Sequence, residues 1–290
     1  MTTPSIQWYP GHIAKAERDL KEQLKRVDVV LEVRDARIPL STHHPQTEQW
    51  VAGKTRVLVL NRVDMITPQL RQRWAAWFRE QGQTPYFTNA QDGKGVRDVA
   101  QAAQEAGVGI NLRRRDRGMQ PRPVRAVAIG FPNVGKSALI NRLLGRRVVE
   151  SARRAGVTRQ LRWVRISEEI ELLDAPGVIP VKLNNQGKAL KLAICDDIGE
   201  ASYDNQRVAV ALIELLNELE ESAFGLFPQS PLKTRYEIDP ASLSGDDYLH
   251  TLAAHRHQGD VERTARHMLN DFRKGLFGPV PLELPPLPLL

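Results

Sequence analysis

One cysteine, Cys195, is all that the 290 residues contain, which excludes an internal disulfide framework and a multi-cysteine zinc site. No stretch approaches the roughly 18–20 consecutive apolar residues of a membrane span. The opening MTTPSIQWYPGH lacks the apolar core of a secretory signal. These shortages predict a soluble protein of the cytoplasm, with an organellar matrix as the alternative, and no membrane partner. Internal repeats are also missing. What is present is ordinary globular composition, 41% hydrophobic and 26% charged, which argues against a largely disordered chain. The length exceeds the roughly 100–200 residues of one domain and predicts two, with enough chain to bury a full core unaided by disulfides or metal.

Acidic residues are scarce in the first two thirds. Residues 1–199 hold 33 Lys+Arg against 20 Asp+Glu, whereas residues 200–290 hold 8 against 14. The basic excess is clustered: 142–165 carries eight arginines and one acid, and 113–125 carries six against Asp116. A charge run is commonly a solvated face. Two runs rich in Arg rather than Lys point instead to a phosphate-rich polymer, because guanidinium forks match phosphate oxygens. RNA is the expected polymer, with Arg113, Arg114 and Arg115 as candidate contacts.

Hydrophobic periodicity divides the chain. An amphipathic helix is expected over 14–26, then strands at 27–33 and 56–60. A helix ending at Gly82, a strand at 85–90 and a helix at 96–107 follow. The segment RRRDRGMQPRP (113–123), with two prolines, reads as a linker or exposed arm within a splice of about 108–123. Beyond it come a strand at 124–130, a helix, and two strands, LRWVRI and IELLD. Alternating strands and helices imply an α/β fold with a mainly parallel sheet over residues 1–199. From residue 200 the pattern is helical only, at 205–223, near 245–256 and at 260–274, predicting a small all-helical domain over 200–278. The proline-rich tail, 279–290, is expected to be extended or disordered.

Four motifs carry chemistry. GFPNVGKS, Gly130 to Ser137, fits the Gly-x4-Gly-Lys-Ser phosphate loop between a predicted strand and a predicted helix. There the backbone N–H groups of Asn133, Val134, Gly135, Lys136, Ser137 and Ala138 can curl around a phosphate at a helix N-terminus. Lys136 would bridge the β- and γ-phosphates and the Ser137 hydroxyl would bind Mg²⁺. DAPG places Asp174 at a strand end, where a carboxylate can hold Mg²⁺ through water, and Gly177 where its N–H can meet the γ-phosphate. Alone, it is also a good turn. Thr158 in AGVTR lies between these two motifs as a further Mg²⁺ hydroxyl. NRVD, Asn61, Arg62, Val63 and Asp64, follows the strand RVLVL. A single carboxylate accepting from guanine N1–H and its exocyclic amine selects guanine over adenine. The competing reading makes Asp64 a helix cap. In TNAQDG, Asn89 and Ala90 follow another strand, and the Ala90 N–H can reach guanine O6.

The motif order is inverted, since NRVD and TNA precede the phosphate loop. With QWYPGHIAKA (7–16), VLEVRDARIPLS (31–42), NRVD, NAQDGKG, GFPNVGKS, GVTR, DAPGV and DVERTARHMLNDFRKGLFG (260–278), the chain resembles the circularly permuted ribosome-biogenesis GTPases of the YlqF/RbgA type. Joined termini and a new opening in a loop are physically reasonable, because chain ends of compact domains often lie close together. The resemblance implies a permuted P-loop GTPase domain followed by a helical domain, hydrolysis of GTP to GDP, and a role as an assembly factor stimulated by the large ribosomal subunit precursor. It also implies contact with rRNA, including Arg263 and Arg266 on a local face with Arg256 and Arg273, and a monomer off the ribosome. Further implied are Mg²⁺, K⁺ at Asn133, and a catalytic histidine matching His12 of YPGH. Three departures stand out: Arg62 replaces the usual lysine, Ala155 the proline before Gly-Val-Thr, and Val178 the water-orienting glutamine of many GTPases. Two alternatives stand beside this reading: a permuted GTPase of small-subunit assembly or another RNA-linked pathway, and a P-loop ATPase or kinase with a fortuitous NRVD.

Overall fold

The computed structural model describes residues 18–145, 162–168, 170–174, 185–199, 203–222 and 229–286. Five strands run parallel: β1 (Val29–Asp35), β2 (Thr55–Asn61), β3 (Pro85–Thr88), β4 (Val124–Ile129) and β6 (Ile170–Asp174). The hairpin strand β5 (Arg162–Arg165) lies antiparallel to β6, and the spatial order is β3-β2-β1-β4-β6-β5. Counted from β4 through to β6 and then on from β1 to β3, the phosphate-loop strand comes first and the guanine-motif strands last, as in an unpermuted GTPase.

Strand alternation builds two buried faces. Val29, Leu31, Val33, Val57, Val59, Ala126, Ala128 and Leu172 meet Val96, Val99 and Ala103 of α4 (Val96–Asp116) and Leu139 and Ile140 of α5 (Lys136–Leu143). On the opposite face, Val30, Val127 and Leu173 cluster with Leu20 and Leu24 of α1 (18–24) and Trp50 of α2 (Thr47–Val51). Leu58 and Leu60 cluster there with Leu70, Trp74 and Phe78 of α3 (Pro68–Glu80). Burial on both faces explains why these strands read as near-continuous apolar runs.

The C-terminal part contains α6 (Gln186–Ile194), α7 (Asn205–Ser222), α8 (Pro231–Tyr236), α9 (Gly245–His257) and α10 (Val261–Arg273). Ser230, Ser244 and Asp260 cap α8, α9 and α10 by accepting backbone N–H bonds. Leu192 and Ile194 of α6 join the sheet core to Leu212, Leu249 and Leu269, so the hydrophobic interior runs on from the sheet into the helices. Among the described residues no helix is long and apolar enough to cross a membrane.

The structure revises the sequence reading in three places. First, 113–116 is helical, as the last turn of α4, so irregular backbone begins only at Arg117. Arginine is a good helix former, and three of them at a helix C-terminus complement its dipole, whereas the prolines act only from residue 121 onward. Second, α2, α6 and α8 are too short for a clear period. Third, the tail is extended but docked through residue 286: the N–H groups of Leu282 and Glu283 donate to the Arg37 carbonyl, and Val280 and Leu282 are buried. The Glu283 carboxylate accepts from the Leu40 and Ser41 N–H groups and from the Ser41 hydroxyl.

Charge is buried beneath this sheet. Glu32 on β1 accepts from Arg34 Nε (2.7 Å) and Arg56 Nε (2.6 Å) and faces His43. Burial alone would push the Glu32 carboxyl up, but Arg34, His43 and Arg56 outweigh it and hold the group at about 2, below its ordinary 4.5. A depressed carboxylate contributes stability that is full above the unfolded value and is lost as pH falls through the folded one. Relative to its protonated form, ionised Glu32 therefore adds about 3 kcal/mol at neutral pH. Glu32→Gln should lower the urea midpoint clearly at pH 7, and the gap to wild type should narrow as pH falls from 5 toward 2. A pH-independent gap overturns the assignment.

Candidate functional site

The C-terminal ends of the parallel strands converge, the usual position for ligands in open α/β sheets. Asp35 ends β1, Asn61 ends β2, Thr88 ends β3, Gly130 follows β4 and Asp174 ends β6. Parallel pairing brings Asp35 level with Asn61, Asn61 level with Thr88, and Ala128 level with Asp174.

The phosphate loop depends on two glycines. Gly130 has φ +150°, and a Cβ there would meet the Val33 carbonyl oxygen at 2.2 Å. Gly135 has φ +101°, and a Cβ there would meet Asn61 Nδ2 at 2.1 Å. Helix α5 begins at Lys136 with Gly135 as its cap. The buried Lys136 ammonium donates to the carbonyls of Phe131 (2.8 Å) and Gly130 (3.3 Å), curling over its own loop. Ser137 and Ala138, half-buried, occupy the first turn of α5.

Asn61 joins the two halves of the site. Its Nδ2 donates to the Val134 carbonyl (2.9 Å), and its Oδ1 accepts from the Thr88 hydroxyl and the Ala90 N–H, each at 3.0 Å. This buried residue ties the phosphate loop to the loop that follows β3. The Ala90 N–H, which the sequence offers to guanine O6, donates to Asn61 Oδ1 in this structure. Asn89 orders the same turn: its Oδ1 accepts from the Gln91 N–H, and its Nδ2 donates to Asp92.

Arg62 takes φ +63°, donates through Nη2 to the Asn133 carbonyl (2.6 Å) and lies 3.5 Å from Asp35 through Nη1. Asn133, at φ +57°, donates from Nδ2 to the Asp196 carbonyl (2.6 Å). Val63 is buried within the 3₁₀ turn Val63–Met65, while Asp64 is exposed and has no side-chain partner among the described residues. The helix-cap reading of Asp64 fails: α3 is capped by Thr67, whose side chain accepts from Leu70 N–H at 3.2 Å.

His12, Thr158 and Gly177 lie outside the described residues, and Asp174 is described through its backbone position alone. Of the basic candidates, Arg113 and Arg115 are exposed, while Arg114 folds back through Nε onto the Gln120 carbonyl. Arg122 is locked to Asp28 by a bidentate pair at 2.7 and 2.9 Å. On α10, Arg263 and Arg266 are exposed, with Arg266 paired to Glu262. Arg273 does not belong to that open face, since its guanidinium donates to the carbonyls of Ala193 and Ile194 and to the Tyr203 hydroxyl.

Sequence reasoning missed Asp35, Arg37 and Thr88. Asp35 is fully buried, and both its oxygens accept from Arg37, through Nε at 3.0 Å and Nη2 at 2.7 Å. Burial opposes its ionisation, yet Arg37 and then Arg62 hold the carboxyl below the usual range. The available signal was a run of charges, VLEVRDAR, inside an apolar strand; charge persists there only when paired.

A family model described as a 50S ribosome-binding GTPase matches residues 125–223. The chain is 35% identical to Ribosome biogenesis GTPase A of Bacillus pumilus, over 97% of this chain and 99% of that protein. It is 34% identical to the Bacillus cereus protein of the same name, over 97% and 94%. Its fold is similar to a crystal structure of GNP-bound YlqF from T. maritima, with a TM-score of 0.63 and 22% identity, covering 93% of this chain and 98% of that one.

Gly135→Ala should displace the Asn61 amide and cost about 2–4 kcal/mol through strain and lost hydrogen bonds. GDP affinity should then fall at least about tenfold, about 1.4 kcal/mol. Gly145→Ala, at φ +62° with nothing within 4 Å, is the control for strain alone. Equal GDP binding by both variants, measured by calorimetry, overturns the Asn61 tie.

Proposed function

Because the chain belongs to the family of circularly permuted ribosome-biogenesis GTPases, we propose that it hydrolyses GTP as an assembly factor of the large ribosomal subunit, with the ribosomal particle as partner and activator. The observation that carries this is the convergence of NRVD, TNA and GFPNVGKS at the C-terminal ends of the parallel strands, within a chain matched over nearly its full length by its relatives. An ATPase reading is disfavoured by the relatives, which are named as GTPases.

In this reading Asp64 accepts from guanine, the aliphatic stem of Arg62 covers the base, and Asn89 and Ala90 border it. Backbone N–H groups of Val134 to Ala138 surround the β-phosphate at the α5 N-terminus, and Gly177 meets the γ-phosphate. Lys136 leaves its loop carbonyls for the phosphate oxygens, stabilising charge that spreads over them in transfer. Ser137, Thr158 and Asp174 are hard oxygen donors of the type Mg²⁺ takes, and Asp174 sits level with Ala128, just before the loop. When bound, Mg²⁺ neutralises phosphate charge. Asn133 retains its Oδ1, an oxygen suited to K⁺, while Nδ2 is engaged with Asp196. Val178 cannot hydrogen-bond a water, so His12 is assigned to orient it. Exposed Arg113 and Arg115, with Arg114 beside them, and Arg263 and Arg266 on α10 supply phosphate contacts to rRNA. The acidic excess of residues 200–290 confines that second contact to a local face.

Three measurements test the reading. Asp64→Asn should lose GTP and gain xanthosine triphosphate, whose carbonyl replaces the exocyclic amine; unchanged GTP binding removes NRVD from the base site. Turnover should rise when purified large subunits are added, and more in K⁺ than in Na⁺. His12→Ala should bind GTP and the particle normally yet lose roughly ten- to thousand-fold of stimulated turnover, the scale of an orienting group. No stimulation by large subunits, with stimulation by small ones, transfers the protein to the other assembly pathway.

A further inference from the structure

A buried polar seam joins the nucleotide site to the helices that follow it. Arg37 lies at its centre, fully buried. On one side it holds Asp35, which stands 3.5 Å from Arg62, and Arg62 in turn grips the phosphate-loop carbonyl of Asn133. On the other side Arg37 Nη2 donates to the Cys195 carbonyl (3.3 Å), and its guanidinium lies over the Phe272 ring of α10, 5.3 Å from the centroid. The Arg37 carbonyl receives the tail, through the N–H groups of Leu282 and Glu283. A second path closes the circuit: Asn133 holds the Asp196 carbonyl, within the same loop that follows α6.

This seam is incompletely satisfied. Asp197 is fully buried with neither carboxylate oxygen hydrogen-bonded among the described residues, and Arg37 Nη1 in the same pocket has no acceptor. Unsatisfied buried groups of this kind each cost free energy, which favours any arrangement that pairs them. Asp35, Cys195 and Asp197 place three potential metal-ligand atoms within 4.8 Å of one another. A cation is disfavoured there, because Arg37 already occupies both oxygens of Asp35 and adds fixed positive charge. A better partner for Asp197 is Arg37 itself. Burial, and after it the neighbouring Asp35 charge, keep the Asp197 carboxyl well above the usual range.

We propose that Arg37 is the positioning residue that couples nucleotide occupancy of the phosphate loop to the placement of the 195–197 loop, α10 and the docked tail. The seam has two arrangements, one with Asn133 holding Asp196 and one with Asp197 paired to Arg37. A nucleotide that reshapes the phosphate loop shifts the balance between them, and by linkage the helices bias nucleotide affinity in return.

The inference rests on nucleotide binding at the phosphate loop, so GDP binding is measured by calorimetry on the same samples as amide hydrogen exchange. In the wild type, GDP should change exchange at 194–198 and 268–283 by about threefold or more, within the range of ordinary coupling energies. Arg37→Lys keeps the charge but loses the fork and the stack; it should bind GDP and show almost none of that change. Phe272→Leu leaves the nucleotide loops and the Arg37 ion pair in place. It should reduce the same response and shift the GDP Kd by about threefold despite its distance from the ligand. An undiminished response in Arg37→Lys overturns the proposal. Should that variant fail to fold, an unchanged Kd and response in Phe272→Leu overturn it equally. Wild type that binds GDP without any change at these segments also overturns it. Failure of wild type to bind GDP removes the nucleotide-site reading first and this inference with it.

Discussion

The Asn61 side chain is the interaction on which the rest of the site depends. One amide reaches the phosphate loop through Val134 and the end of β3 and the loop after it through Thr88 and Ala90. These groups lie up to 73 residues apart in the chain. Each bond is an ordinary one, worth about 1 kcal/mol net, but all are buried, and losing the amide would strand three partners at once. The same amide dictates glycine at position 135, since any Cβ there would collide with it. Loop chemistry and loop geometry are thus set by one residue.

Permutation leaves this arrangement intact because the sheet is indifferent to the order in which its strands are made. β1 lies between β2 and β4, so the base-motif strands and the phosphate-loop strand are neighbours whichever comes first. The long helix α4 supplies the join, packing Val99 and Ala103 on the sheet while carrying its basic end outward. What permutation changes is the far end. The chain leaves β6 for α6 and the helices beyond, whose interior is continuous with that of the sheet.

Buried charge recurs along β1. Glu32, Arg34, Asp35 and Arg37 are all buried within six residues of strand and turn. A buried pair is weak evidence for stability, since desolvation offsets most of the attraction. Its effect here is geometric: guanidinium forks fix where β2, α2 and α10 meet β1 and the turn after it, and an apolar replacement could not hold those directions.

The chemistry was legible in the sequence, because each motif is short and its residue types follow from what phosphate and guanine require. The strands and longer helices were legible too, through apolar runs and helical periods long enough to register. Helix α4 was underestimated because prolines at 121 and 123 were allowed to act on arginines that are themselves compatible with a helix. Short α2, α6 and α8 carry too few turns to show a period. Roles that depend on contacts across many residues were decided by the tertiary structure alone. Asn61 became a tie, Asp64 was released from capping by Thr67, Arg273 was drawn inward to α6, and the proline-rich tail was seated on Arg37. Sequence determines which groups a chain can offer. Packing decides which of them remain free, because a buried donor or acceptor must be satisfied by whatever the fold brings beside it.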